Sequence, residues 1–337
     1  MRPHSTIAAL ALSAGLALNA VESGGTLYLT FDNDFIAGSD DGYTSGFQLG
    51  YVSPGRASFG DGPFPGGLGR WLDGVRPFAG LERQRFVAYS FAQRMFTPQE
   101  IDREGVVEDD LPYTGLLALS GTVAAQSREH LDAFTITIGV AGEAALGKPI
   151  QRHLHHFMGN TEPLGWDNQL ETEPLLNLQY EHRWRAVDFS AGPTNGDLIV
   201  SGSGAAGNMM TIATGGVGLR WGRNVPHDFF VPPPFFGEET VGALPYDPQR
   251  RGTVAMYIAA SVDAAAFANL IYLDGNTFSD SHSVEHDHWY LRGHLGLHFE
   301  VGHFACAVSI VRATLPWDRP DGATWETYGR ISIGWRL

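Results

Sequence analysis

The stretch Tyr328-Gly329-Arg330-Ile331-Ser332-Ile333-Gly334-Trp335-Arg336-Leu337 closes the chain and decides how the rest of it is read. Successive side chains of an extended strand point to opposite faces, so Ile331, Ile333, Trp335 and Leu337 share one side while Arg330, Ser332 and Arg336 share the other. One such strand fits any half-buried sheet. Here the alternation recurs about a dozen times, which is the sequence form of a transmembrane β-barrel.

The clearest repeats set Leu27, Leu29 and Phe31 against Thr26, Tyr28 and Thr30, and Phe47, Leu49 and Tyr51 against Gly46, Gln48 and Gly50. Phe134, Ile136, Ile138 and Val140 alternate with Thr135, Thr137 and Gly139, and Leu176, Leu178 and Tyr180 with Asn177, Gln179 and Glu181. Trp289, Leu291, Leu295, Leu297 and Phe299 alternate with Tyr290, Arg292, His294, His298 and Glu300. Weaker runs lie at 84–93, 112–124, 187–200, 208–221, 253–262 and 303–312. Arg, His, Gln and Glu on the polar faces could not be satisfied in a dry sandwich core. The expected fold is therefore all-β, a transmembrane antiparallel β-barrel of about 12 strands with long extracellular loops.

Parity then assigns the connections. With both termini periplasmic, 32–43, 94–111, 141–173, 194–207, 264–286 and 313–323 point outward, and tight returns are expected at 126–129, 184–187 and 300–302. Two inner connections, 54–83 and 222–252, are too long for the rule that periplasmic turns are short.

Ahead of the strands, Met1-Arg2, the apolar run Ile7 to Leu18 and the small residues Ala17 and Ala20 read as a signal peptide over 1–20. That run is too short to span a bilayer as a helix. Residues 21–337 are expected to form one barrel domain in the outer membrane of a Gram-negative cell, as a monomer. A net charge of −15 excludes a nucleic-acid role, which needs a basic footprint. The single cysteine, Cys306, excludes an internal disulfide and a Cys-based zinc site.

Two stretches carry possible chemistry. Asp32-Asn33-Asp34 ends the first strand, and Asp40-Asp41-Gly42-Tyr43-Thr44-Ser45-Gly46 opens the second. A period of two puts Asp32 and Asp34 with Thr30, and Thr44 with Gln48, all toward the lumen. Oxygen ligands of this kind suit a hard cation such as calcium; the same residues also make ordinary turns. The second stretch is Gln151 to Pro163. Residues 147–158 read as one short helix ended by Gly159. His153, His155 and His156 do not share one helical face. They could form a metal cluster, supply one imidazole as general base to a water, or be loop residues without a role. There is no Gly-x-Ser-x-Gly elbow, phosphate-binding glycine loop or His-Glu-x-x-His.

At these residues the chain resembles the lipid A 3′-O-deacylase family, the LpxR-like outer-membrane proteins. The matching pieces are Asn33-Asp34, Asp41 to Gly46, Gln93 with Phe96 to Ile101, Leu111 to Gly115, and Gln151 with His155 and Gly159. Gly165-Trp166-Asp167-Asn168-Gln169-Leu170 with Glu173-Pro174, Leu273 to Phe278, and Ser281 to Val284 also fit. The resemblance implies a 12-stranded barrel that removes the 3′-linked acyloxyacyl chain of lipid A and depends on calcium. Its partners would be lipid A or lipopolysaccharide in the outer leaflet and the surrounding outer-membrane lipids. Carried over by position, Asn33, Asp34, Thr44 and His155 would be active-site residues, with Asp34 and Asp32 toward the metal. The family's glutamate follows its histidine by six residues, which here is Thr161; Glu162 is adjacent and is the expected substitute. Leu111 stands where the family usually has arginine, and Thr114 where it has alanine.

Two other readings use the same features. A phospholipase would cleave glycerophospholipid esters with the same residues, and a porin or binding barrel would pass or hold a solute without chemistry.

Overall fold

The computed structural model describes residues 24–34, 42–65, 67–80, 82–229 and 254–337; the expected leader, 1–20, lies outside the described residues. Twelve strands form a closed antiparallel barrel. They are β1 (Thr26–Asn33), β2 (Gly42–Val52), β3 (Gln84–Thr97), β4 (Thr114–Gln126), β5 (His130–Ala141) and β6 (Glu173–Ala191). The second half is β7 (Thr194–Gly207), β8 (Met210–Arg223), β9 (Val254–Leu270), β10 (Trp289–Val301), β11 (Phe304–Thr314) and β12 (Trp325–Arg336). Each strand pairs with its sequence neighbours, and β12 closes on β1 from Thr26↔Arg336 to Asn33↔Gly329. Closure leaves no strand edge unpaired, which lipid requires.

The outward face is apolar and bare. Leu297 is 64% exposed and Ile138 55%, surface that a solvent of lipid, not water, rewards. Trp221 and Trp335 stand near the periplasmic ends of β8 and β12, while Trp289 and Trp325 open β10 and β12 at the other rim. These are the two aromatic girdles of an outer-membrane barrel.

The inward face is polar and filled. Arg220 pairs with Asp197 at 2.6 Å and with Asp228, Arg185 with Asp197 at 2.9 Å, and Arg292 with Asp263 at 3.3 Å. These buried charges thus meet opposite ones, as burial demands. Ser120 bonds Thr137, and Thr122 bonds Thr135, across β4 and β5. Toward the outer mouth, Phe96 stacks on Tyr272 with ring centroids 4.1 Å apart, amid Leu111, Leu273 and Trp317. Toward the inner mouth, Phe229 packs among Tyr28, Phe86, Leu131 and Ile199. These apolar clusters narrow the described lumen near both mouths.

Two expected boundaries fail. β6 runs unbroken from Glu173 to Ala191, so 184–187 is not a return, and 194–207 is strand β7, not an outer loop. The turn is at 192–193 and the outer connection is 208–209. The cause is local. Arg183 and Arg185 look like turn residues, but they are buried in pairs with Glu181 and Asp197, and a register shift between Arg185 and Val187 breaks the alternation.

The long inner connection between β2 and β3 carries helix α1 (Leu68–Gly74) and lies against the outside of the wall. Phe59 and Phe78 pack on Ala125, with Leu72, Val75, Val123 and Phe134 around them. On the outer side, helix α2 (Gly147–Met158) lies between β5 and β6, and α3 (Ile271–Asp274) follows β9.

Candidate active site

Register decides which way each rim residue faces, since cross-strand partners share a face. Asn33 pairs with Ser45 and Ser45 with Met95; Phe31 pairs with Phe47 and Phe47 with Gln93. Phe47 is among the exposed lipid-side residues, so Asn33, Ser45, Gln93 and Met95 all project from the outer surface of the barrel. Asp32 pairs with Gly46 and Gly46 with Arg94, on the inner surface. The β2–β3 register slips between Tyr43 and Ser45, placing a bulge at Thr44; the Thr44 side chain lies outside the described residues. Bulges of this kind re-aim backbone beside active sites.

Helix α2 covers this patch from outside. Ile150 and Leu154 pack against Met95, Tyr113 and Trp166. The Trp166 indole N–H donates to Gln151 Oε1 at 2.6 Å, and both residues are fully buried. Gly147 admits this contact: a Cβ there would come within 2.4 Å of the Trp166 ring. Tyr113 donates its hydroxyl to the Ile101 carbonyl at 3.1 Å, and burial pushes its phenol up to about 12, so the donor stays protonated. The helix occupies the expected span 147–158 and ends at Gly159, whose φ of 74° is the left-handed cap glycine accepts without strain.

His155 lies four residues after Gln151, on the same helical face, and is 3% exposed; His153 and His156 are exposed. Its Nδ1 is 2.6 Å from the Thr161 carbonyl oxygen. A carbonyl only accepts, so Nδ1 carries a proton, and in the neutral ring this tautomer leaves the lone pair on Nε2. This position is the sixth after the histidine, where the family has glutamate. Glu162 does not contact the imidazole; it is exposed and takes Arg152 Nε at 2.7 Å. Asp34, directly after β1, is buried.

Two expectations change. The imidazole was expected with the carboxylates and hydroxyl at the lumen, yet α2, which carries His155, packs on Met95 on the outside of the wall, the side to which Asn33 also projects. Asp32 does face the lumen, where its two oxygens accept from Arg330 at 2.7 and 2.8 Å, across the β1–β12 seam. The strand itself separates Asp32 from Asn33, and the Arg330 guanidinium engages both its oxygens, which makes it an ion-pair partner of the seam. A calcium ion needs six to eight oxygens. Carbonyls of the backbone and of Asn or Gln supply part of such a shell; among the described residues no group of three or more His, Cys, Asp or Glu gathers to hold a metal.

Sequence reading passed over Gln93 as a site residue. It is buried on the outward face of β3, and its side-chain N–H₂ has no partner among the described residues. It also passed over Asp110, which accepts from the backbone N–H of Gln99 and Leu111 at 2.8 Å each and from Trp317 Nε1 at 3.2 Å. The His282 ring bonds its carbonyl at 2.8 Å. Asp110 thereby ties three outer connections together.

Trp166→Phe should strand the buried Gln151 amide and loosen α2. An unmade buried hydrogen bond costs about 1–3 kcal/mol. Faster protease cleavage within 142–172, with barrel content unchanged by circular dichroism, is the expected result.

A closed twelve-stranded barrel with an apolar belt, and buried polar residues on its outward face beside an outer-side helix, defines an outer-membrane β-barrel protein. The family model described as "Outer membrane protein LpxR" matches residues 5–337. The chain belongs to this family and to the outer membrane. Among solved structures it is similar to LpxR from Salmonella typhimurium, at 16% identity and a TM-score of 0.74, covering 93% of this chain and 100% of that one. The β domain of the Bordetella autotransporter BrkA gives 10% identity and a TM-score of 0.41, covering 94% of this chain and 100% of that one. No curated protein matches the chain.

Proposed function

We propose that the protein is a carboxylic ester hydrolase of the lipid A deacylase type, removing the 3′-acyloxyacyl chain of lipid A in the outer leaflet. The observation that carries this reading is the side of the wall. Asn33, Gln93 and His155 belong to the lipid face near the extracellular rim, where an ester anchored in the outer leaflet arrives sideways without leaving the membrane. A lumenal site behind the apolar cluster near the outer mouth would not receive it.

The chemistry follows from donors and acceptors. His155 Nε2 takes a proton from water as the water oxygen attacks the ester carbonyl. The carbonyl π electrons move to oxygen, and N–H groups of Asn33 and Gln93, with the Thr44 hydroxyl, stabilise that oxyanion. When the tetrahedral carbon collapses, the ester C–O bond breaks and the departing sugar oxygen takes the proton back from the imidazolium. The products are a free acyloxyacyl acid and a 3′-hydroxyl. The Thr161 carbonyl holds the ring in its working tautomer throughout.

Calcium dependence, implied by the resemblance, would rest on Asp34, the buried carboxylate directly after β1 at the extracellular rim. Treating the detergent-solubilised protein with a chelator should abolish ester cleavage, and added calcium should restore it; full activity in chelator would remove the metal from the proposal. The primary test is mass spectrometry of lipid A from cells with and without the protein. Loss of one acyloxyacyl unit is expected. Lysophospholipid and free fatty acid with intact lipid A would assign the site to glycerophospholipids instead.

A further inference from the structure

The 53–83 connection is longer than a periplasmic turn needs to be. Its anchoring is specific. Arg85, on the outward face of β3 opposite Ala125, donates to the carbonyls of Phe78 at 3.1 Å and Gly80 at 2.7 Å. Asp132, outward on β5 opposite Ala125, takes Arg83 at 2.5 Å, the Tyr180 hydroxyl at 2.6 Å and His182 Nδ1 at 2.8 Å. Asp73 accepts from Ser58 Oγ at 2.5 Å and from the Phe59 N–H at 3.0 Å, folding the segment on itself. Helix α1 is pressed so closely on residues 59–60 that a Cβ at Gly69 would lie 2.4 Å from the Phe59 carbonyl oxygen.

The segment therefore forms a collar around the outside of β3–β5, at the level of Trp184, which pairs with His130 at the foot of β5. One face of α1 is used: Leu72 packs toward the barrel. The other presents Leu68 and Trp71 three residues apart on one stripe, Trp71 being 65% exposed. Arg70 and Arg76 are exposed beside them. We propose that this collar is an interfacial foot seated in the periplasmic leaflet, with Leu68 and Trp71 among phospholipid acyl chains and Arg70 and Arg76 at anionic phosphates. Three features select phospholipid as occupant: the collar packs on the outward, lipid-facing side of the wall near the foot of β5, it exposes a tryptophan and a leucine on one stripe, and its exposed cations oppose the headgroup charge. The foot would fix the depth and tilt of the barrel from the side of β3, the same strand that carries Gln93 and Met95 at the opposite rim.

The test uses the full chain with Cys306→Ser and Trp71→Cys, an environment-sensitive fluorophore on the new thiol, and vesicles of phosphatidylethanolamine with phosphatidylglycerol. Leu68→Cys serves as a second labelling position, and Leu295→Cys as a mid-wall control. The expected result is blue-shifted emission at 68 and 71, quenched by phospholipids carrying a shallow nitroxide and shielded from iodide. Emission as in water, quenched by iodide and not by nitroxide lipid, would overturn the proposal. Arg70→Glu with Arg76→Glu should reduce the nitroxide quenching in the anionic vesicles; unchanged quenching would overturn the headgroup contact.

Discussion

His155→Ala is expected to abolish release of the acyloxyacyl chain while the barrel still folds and inserts. Removing a general base costs on the order of 10²–10⁴ in rate. His155 sits on a helix held by Ile150, Leu154, Gln151 and Trp166, so losing the imidazole leaves the packing in place. His153→Ala and His156→Ala should retain activity, because both rings are exposed on the far side of α2. Glu162→Gln should also be nearly silent, since its carboxylate pairs with Arg152 at the surface. If His155→Ala kept near-native turnover, the base would have to be sought elsewhere. Lipid A mass spectra from cells expressing each variant give the comparison.

The second large effect belongs to the seam. Arg330→Met should destabilise the barrel strongly by leaving the buried Asp32 carboxylate without its guanidinium. Breaking a buried pair from one side costs about 3–5 kcal/mol. Restoring neutrality with Asp32→Asn in the same chain should recover much of that loss. The single Asp32→Asn variant separates two roles: as an ion-pair partner its effect is on unfolding in urea, whereas a metal ligand would change the calcium concentration needed for activity. An unchanged unfolding midpoint in Arg330→Met would refute the seam assignment.

How far the sequence revealed this molecule depended on which face was covered. Alternation located β1, β2, β5, β10 and β12 because lipid and lumen impose opposite chemistry on neighbouring residues. The helix 147–158 was legible from its span and its terminal glycine. Parity also placed Asp32 inside correctly. What did not follow was that the imidazole helix lies outside the wall. Asn33 and Gln93 are polar residues on the outward face, buried beside Met95, on which α2 packs, and a covering loop leaves no mark in the strand it covers. The collar was hidden for the same reason: nothing in the alternation of β3 and β5 announces that Arg85 and Asp132 bond a segment outside the barrel. At β6, a register shift erased the alternation that would have carried the strand past Arg185.

The apolar clusters near both mouths bear on what the barrel can conduct. Porins keep an open polar lumen, whereas among the described residues this cylinder is lined by ion pairs and narrowed by Phe96, Tyr272 and Phe229, so conductance in planar bilayers should fall well below a porin's and rise when Phe96 and Tyr272 are cut back to alanine.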